Sequence, residues 1–162
     1  MPIEIERKFL VKSDAFKSLA YSSKQIVQGF LNKDPERTVR IRINEDKAFL
    51  TVKGLSSDDG LSRFEWEKEI PVNEAKDLLT LCDHNLIEKR RYLVKHDNHI
   101  IEVDEFYGRW KGLVIAEVEL QSENEAIELP DWLGREVTEE VRYYNISLSQ
   151  RPFKLWSEDE KA

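Results

Sequence analysis

The stretch Glu4-Ile5-Glu6-Arg7-Lys8 sets charged side chains at alternate positions inside a run, Ile3 to Val11, that otherwise has the composition of a β-strand. Successive side chains of an extended strand point to opposite faces. Glu4, Glu6 and Lys8 therefore share one face. Ile3, Ile5, Phe9 and Val11 share the other, interrupted only by Arg7. The apolar face can be buried while two carboxylates and an ammonium look toward water or a ligand.

The same period of two recurs in Lys24 to Asn32, Thr38 to Asn44, Ala48 to Lys53, Ser62 to Ile70, Ile87 to Val94, His99 to Phe106 and Leu113 to Gln121. Asp34-Pro35 and Glu45-Asp46-Lys47 read as turns, and Ser56 to Gly60 as a mobile loop. Helical signals are few. Ser13-Asp14 caps a short helix to Leu19, and Asn73 caps one from Glu74 to about Cys82, with Ala75, Leu78, Leu79 and Cys82 on one stripe. Asn124 to Ile127 reads as a helical turn, Trp132-Leu133-Gly134 opens an irregular piece, and Arg142 to Gln150 forms a closing helix. Eight predicted strands joined mostly by hairpins give an α+β fold: an eight-stranded antiparallel β-barrel or strongly curved sheet with a few helices packed outside.

Sorting every strand by parity segregates charge. One face carries Glu4, Glu6, Lys8, Arg40, Arg42, Lys53, Glu65, Glu67, Lys89, Arg91, Glu102, Asp104, Glu117 and Glu119, and the other is apolar almost throughout. An open sheet with one solvated face is the plain alternative, and for any single strand it is the better one. A solvated face tends to intersperse its charges, however. Here the cations and the acids fall on different strands, and only the first strand mixes them, which marks it as the seam between a basic and an acidic half. If the barrel closes with this face inward, the tunnel takes a ligand that satisfies both signs. A polyphosphate with a divalent metal fits, its oxygens held by Lys and Arg and its metal by hard carboxylates.

The 162 residues are 35% charged and 40% hydrophobic, with a formal net charge of -7, as in a globular chain of one domain. Residues 1–156 read as that domain and 157–162 as a polar tail. The acidity argues against a protein that coats duplex nucleic acid. Cys82 is the single cysteine, which removes internal disulfides and cysteine metal clusters; no apolar run approaches a membrane span. A cytoplasmic protein is expected. His84, His96 and His99 lack metal-ligand spacing and read as surface histidines. Trp66, Trp110, Trp132 and Trp156 read as outer packing against helices, with Trp110 the one exposed candidate.

Read in order, Glu4-Ile5-Glu6-Arg7-Lys8, Gln28-Gly29, Arg40-Ile41-Arg42, Thr51-Val52-Lys53-Gly54, Glu65-Trp66-Glu67, Lys89-Arg90-Arg91, Glu102-Val103-Asp104, Glu117-Val118-Glu119 and Gly134-Arg135-Glu136-Val137-Thr138 resemble the motifs of the CYTH superfamily, the triphosphate tunnel metalloenzymes. The resemblance covers nearly the whole chain. It implies a triphosphate-containing small-molecule substrate and Mg²⁺ or Mn²⁺. Lys8, Arg40, Arg42, Lys53, Lys89 and Arg91 would bind phosphate, while Glu4, Glu6, Glu117 and Glu119 would hold metal with Asp104 beside them. Lys89, Glu65 and Glu67 are the catalytic candidates.

The family's short triphosphatases commonly have a tyrosine where this chain has Phe30, which cannot hydrogen-bond. Lys89 as base would then be made neutral by neighbouring cations alone. Hydrolysis of inorganic triphosphate is the favoured activity. An adenylate cyclase, making cyclic AMP and pyrophosphate from ATP, and a non-catalytic polyphosphate-binding module are the alternatives. The sequence leaves a homodimer open.

Overall fold

Alternating apolar and charged residues can bury one face of a sheet and hydrate the other, and closing the sheet keeps both environments without exposing strand edges. The computed structural model, which describes residues 2–82 and 86–150, takes this solution. Its strands are β1 (Ile3–Val11), β2 (Ser22–Asn32), β3 (Arg37–Asn44), β4 (Lys47–Gly54), β5 (Ser62–Ile70), β6 (Ile87–His96), β7 (His99–Phe106), β8 (Val114–Glu119) and β9 (Leu133–Glu136). The helices are α1 (Ala15–Leu19), α2 (Val72–Leu79) and α3 (Asn145–Gln150). His84, Trp156 and the tail from 157 lie outside the described residues.

The antiparallel order β5-β4-β3-β2-β6-β7-β8-β1 closes on itself where β1 pairs with β5, Ile3 opposite Phe64 and Ile5 opposite Ser62. Further along, β1 lies against β8, from Glu6 opposite Glu119 to Leu10 opposite Ile115. The edge of β1 that β5 leaves is taken by β9, with Val11 opposite Leu133.

That ninth strand corrects the irregular piece expected from Trp132. Four residues carry too little alternation to register as a strand. β9 forms because the free edge of β1 recruits it: Lys12 N donates to Trp132 O at 2.8 Å and Val137 N to Lys8 O at 2.8 Å. A Cβ at Gly134 would sit 3.2 Å from Leu10 O, so the close approach is made by a residue without a side chain.

Apolar outer faces are covered by helices. Phe16 of α1 is buried with Phe9, Val103, Ala116, Val118 and Trp132, its ring edge-on to Tyr92 at 5.3 Å. Burial of such a side chain is worth about 1.5–3 kcal/mol. Ala75 of α2 packs on Ile41 and Ala48. This helix begins at Val72, after Pro71, whose carbonyl accepts from Ala75 N at 3.0 Å. Asn73 therefore sits inside the first turn and does not cap it. The helix ends at Leu79, and turns carry the chain to Cys82. Residues 124–127 form no helix; Glu125 N closes a single turn onto Ser122 O. β8 is also shorter than expected, and a 3₁₀ turn (Val141–Tyr143) precedes α3.

Trp66 of β5 is 42% exposed, against the expectation of packing. Trp110, held open as exposed, is buried and donates from Nε1 to Leu148 O at 2.8 Å. His96 and His99 are half-buried, and His99 pairs with Glu125.

Candidate active site

The charged parity set does point into the barrel, but the inward face is not charged along its whole length. Facing pairs in adjacent strands share a face. Phe30 stands opposite Arg40, Phe106 opposite Lys89 and Ile115 opposite Asp104. These three, with Ile87, Tyr143 and Leu148, form a buried apolar cluster. The tunnel thus has an apolar floor at one end, and Phe30 belongs to it.

Above the floor is a cavity lined by seven cations, Lys8, Arg40, Arg42, Lys53, Arg63, Lys89 and Arg91, and three carboxylates, Glu4, Glu6 and Glu117. Going round the barrel, β4, β3 and β6 supply Lys53, Arg40, Arg42, Lys89 and Arg91, whereas β7, β8, β1 and β5 supply the acids. The basic arc is continuous once β2, whose inward parity carries Lys24 opposite Arg91 and no acid, is counted with it, and the acidic arc is continuous with Lys8 of β1 and Arg63 of β5 set among its acids. β1 is not their seam, because it lies in the middle of the acidic arc, between β8 and β5. The seams are β4/β5 and β6/β7.

Both seams are bridged by ion pairs. At the first, Lys53 Nζ is 2.7 Å from Glu4 and 3.2 Å from Glu65. At the second, Arg91 grips Asp104 with Nε at 2.8 Å and Nη2 at 2.9 Å, and reaches Glu102 at 3.0 Å. Asp104 is held below the usual carboxylate range: its burial acts to raise it, but Arg91 and Lys89 outweigh that.

Lys89 is fully buried, 2.7 Å from Asp104 and 2.8 Å from Asn145 Oδ1, with Phe106 beneath it at 5.4 Å. Its pKa is pushed down to about 7, first by burial and then by Arg91 and Arg42, against the pull of Asp104. The neighbouring cations are thus not the sole cause; the dry floor is the larger one. Burial, then Arg40 and Arg91, bring Arg42 to about 9, which leaves it cationic at neutral pH.

The carboxylates crowd into two proton-sharing pairs. Burial and then Glu117 and Glu4 raise Glu6 well above its ordinary value. Glu117 falls to about 2 although burial opposes it, because Lys8 at 3.5 Å, Arg91 and a hydrogen bond from Glu6 favour its charge. Burial and a hydrogen bond to Glu4 raise Glu65 to about 7. Burial, then Glu4 and Glu102, raise Glu119, which pairs in register with Glu6. Glu67 accepts from Thr51 at 2.8 Å and faces Arg40 at 3.6 Å.

Such a set of crowded, partly protonated hard oxygens suits a divalent cation, which would replace the protons. Among the described residues no three of them already stand in a coordination shell, so binding requires the side chains to turn. Arg40 lines the cavity; its Nη2 donates to Thr51, while its Nε is buried and has no partner among the described residues.

Of the expected site residues, the strands bring Glu4, Glu6, Lys8, Arg40, Arg42, Lys53, Lys89, Arg91 and Glu117 to the cavity wall. Glu65, Glu67, Asp104 and Glu119 stand behind or beside it as partners of those cations and acids. Sequence reasoning missed Arg63, whose Nη2 donates to Gly54 O at 2.7 Å, although it shares parity with Glu65 and Glu67. It also missed Tyr144 and Asn145, and it quoted Thr138 only as the end of a motif with no place in the site; all three arrive from distant chain, and Tyr144 places its ring 4.6 Å from Lys8 Nζ.

The model of the CYTH domain matches residues 2–153. The chain belongs to the CYTH-domain family. Family membership implies a divalent metal. The CYTH chain is 49% identical over 158 residues to an inorganic triphosphatase of Acetivibrio thermocellus, covering 96% of this chain and 98% of that one. It is 36% identical over 151 residues to an inorganic triphosphatase of Nitrosomonas europaea, covering 90% and 96%. A crystal structure of an inorganic triphosphatase superposes with a TM-score of 0.64 at 33% identity, covering 90% of this CYTH chain and 97% of that one.

Proposed function

We propose that the protein hydrolyses inorganic tripolyphosphate inside the tunnel with Mg²⁺ or Mn²⁺, working in the cytoplasm. The observation that carries this is the basic excess of the cavity wall, seven Lys and Arg side chains against three carboxyls, with the buried Arg40 Nε donor unpaired among the described residues. A linear triphosphate with about five negative charges, its terminal groups past a second pKa near 6, supplies enough negative charge to balance that excess and most of a divalent ion's charge. The relatives' activity supports the same reading.

Arg40, Arg42, Lys8, Lys53 and Arg91 hold the phosphoryl oxygens, with Arg63 added at the β5 side of the cavity. Glu4, Glu6 and Glu117, with Glu119 next to them, are the residues for the metal, and Asp104 serves the cations instead, since Arg91 and Lys89 already occupy its oxygens. The bound metal would supply charge neutralisation at the bridging oxygens.

Water attacks the terminal phosphorus, the bond to the bridging oxygen breaks, and pyrophosphate and orthophosphate result. Neutral Lys89, on the cavity wall, takes the proton of that water. Glu65 and Glu67 do not line the cavity and act on Lys53 and on Arg40 with Thr51, positioning them. Positioning and electrostatic stabilisation supply most of the acceleration.

The test is phosphate release from tripolyphosphate with each metal, run beside an ATP digest. Orthophosphate from tripolyphosphate supports the proposal. Cyclic AMP with pyrophosphate from ATP shows a cyclase, and tight metal-dependent binding without product shows a binding module.

A further inference from the structure

We infer that Asn145 is a positioning residue whose side-chain oxygen fixes Lys89 directly and Arg42 through Gln28. Asn145 Oδ1 accepts from Lys89 Nζ at 2.8 Å and from Gln28 Nε2 at 2.8 Å, while Gln28 Oε1 accepts from Arg42 Nε at 2.9 Å.

The direction of this chain is forced. A guanidinium only donates, so Gln28 must turn its oxygen to Arg42 and its amide nitrogen away. That amide nitrogen also only donates, so it requires the oxygen of Asn145, which accepts from Lys89 as well. Gln28 is 0% exposed and does not line the cavity, which denies it water as a substitute partner. Removal of the Asn145 oxygen strands a buried donor on Gln28 and frees the amide to rotate. Arg42 then loses its fixed acceptor, and Lys89 is left to Asp104 alone.

Nothing on β2 replaces this oxygen. Phe30, two residues beyond Gln28 on the same inward face, has no hydrogen-bonding atom. Asn145 reaches β2 and β6 together from 117 and 56 residues away, and it lines the same cavity as Lys89. It therefore ties the base and one phosphate-binding guanidinium to a single point.

The consequence for turnover rests on the hydrolase reading above; the geometric claim does not. Two variants separate them: N145L, close in size but without an acceptor, and N145D, which keeps the acceptor oxygen. In the ligand-free protein, NMR exchange rates of the Gln28 side-chain amide and the Arg42 Nε proton are measured. N145L is expected to speed the Gln28 exchange by about tenfold or more, and N145D to leave it within about twofold. With tripolyphosphate and Mg²⁺, N145L is expected to lower kcat by about tenfold or more with KM within about threefold, and N145D, whose carboxylate favours the Lys89 ammonium, to shift the rise of the pH profile to higher pH.

Unchanged exchange in N145L overturns the proposal, as does N145D speeding the Gln28 exchange as much as N145L at an unaltered melting temperature. If the unsubstituted protein releases no phosphate, the hydrolase reading falls and the exchange measurement still decides the role of Asn145. Should N145L not fold, N145A removes the same oxygen without added bulk and takes its place in both measurements.

Discussion

The ammonium of Lys89 lies 2.7 Å from the carboxylate of Asp104, where the two side chains are 0% and 4% exposed. Asp104 is at the same time gripped by Arg91. One carboxylate thus serves two buried cations, and it stays charged while Lys89 is drawn toward neutrality.

Lys89 gives a pH prediction. As base it must be neutral, and its neutral fraction grows as pH rises through about 7. The kcat/KM profile is expected to climb through that region and flatten above it, since this parameter reports the free enzyme. Lys89→Arg, which stays protonated, is expected to lose about 10²–10⁴-fold in kcat. A profile flat from pH 6 to 9 removes Lys89 from the base role.

Asp104→Asn leaves Lys89 without its paired carboxylate and Arg91 with Glu102 alone, and is expected to cost about 3–5 kcal/mol in urea unfolding at neutral pH. The sign of the pH effect follows from a depressed folded value. The contribution of Asp104 is present above its ordinary 3.8 and is lost as pH falls below it, and Glu117 adds a similar loss between 4.5 and about 2. The acid limb of the stability curve should therefore be shallower in Asp104→Asn than in the unsubstituted protein.

Glu6→Gln keeps a donor toward Glu117, as the protonated carboxyl does, so folding stability should change by less than about 1 kcal/mol. A metal-binding oxygen is lost, and the metal concentration for half-maximal activity should rise at least about tenfold. Calorimetry in two buffers of different ionisation enthalpy adds a check, because metal binding to the unsubstituted protein should release protons.

Lys8→Met is expected to raise KM and also the metal requirement. Its ammonium faces the cavity and stands 3.5 Å from Glu117, helping to keep that acid ionised. A β1 seam would have confined Lys8 to substrate and Glu6 to metal. The observed order couples them, and a pure KM effect with unchanged metal dependence would contradict it.

Gly60→Ala tests the loop beside the tunnel. Gly60 has φ of +71°, and a Cβ there would sit 2.5 Å from the Tyr144 hydroxyl and 2.6 Å from Thr138 O. Strain of about 1–2 kcal/mol from the backbone alone is expected, with the clash added. The melting temperature should fall, together with activity, because Tyr144 stacks on Lys8.

Much of the wall was legible because strand parity is local. Any reader of Arg40-Ile41-Arg42 or Glu117-Val118-Glu119 can put the charges on one face and the apolar residue on the other. Arg63 was within reach of the same rule and was passed over beside Glu65 and Glu67. Asn145 was not within reach: an asparagine at the start of a six-residue helix carries no signal that it meets β2 and β6.

The sequence by itself determined which side chains share a face, the eight main strands and the predominance of charge inside, since a period of two depends only on neighbouring residues. The tertiary structure alone decided which strands are adjacent, and hence that β1 lies within the acidic arc, that the opposite signs meet at β4/β5 and β6/β7, and that an apolar floor dries Lys89. Those outcomes depend on hydrogen-bonded edges and buried packing between segments far apart in the chain, where local pattern has no influence.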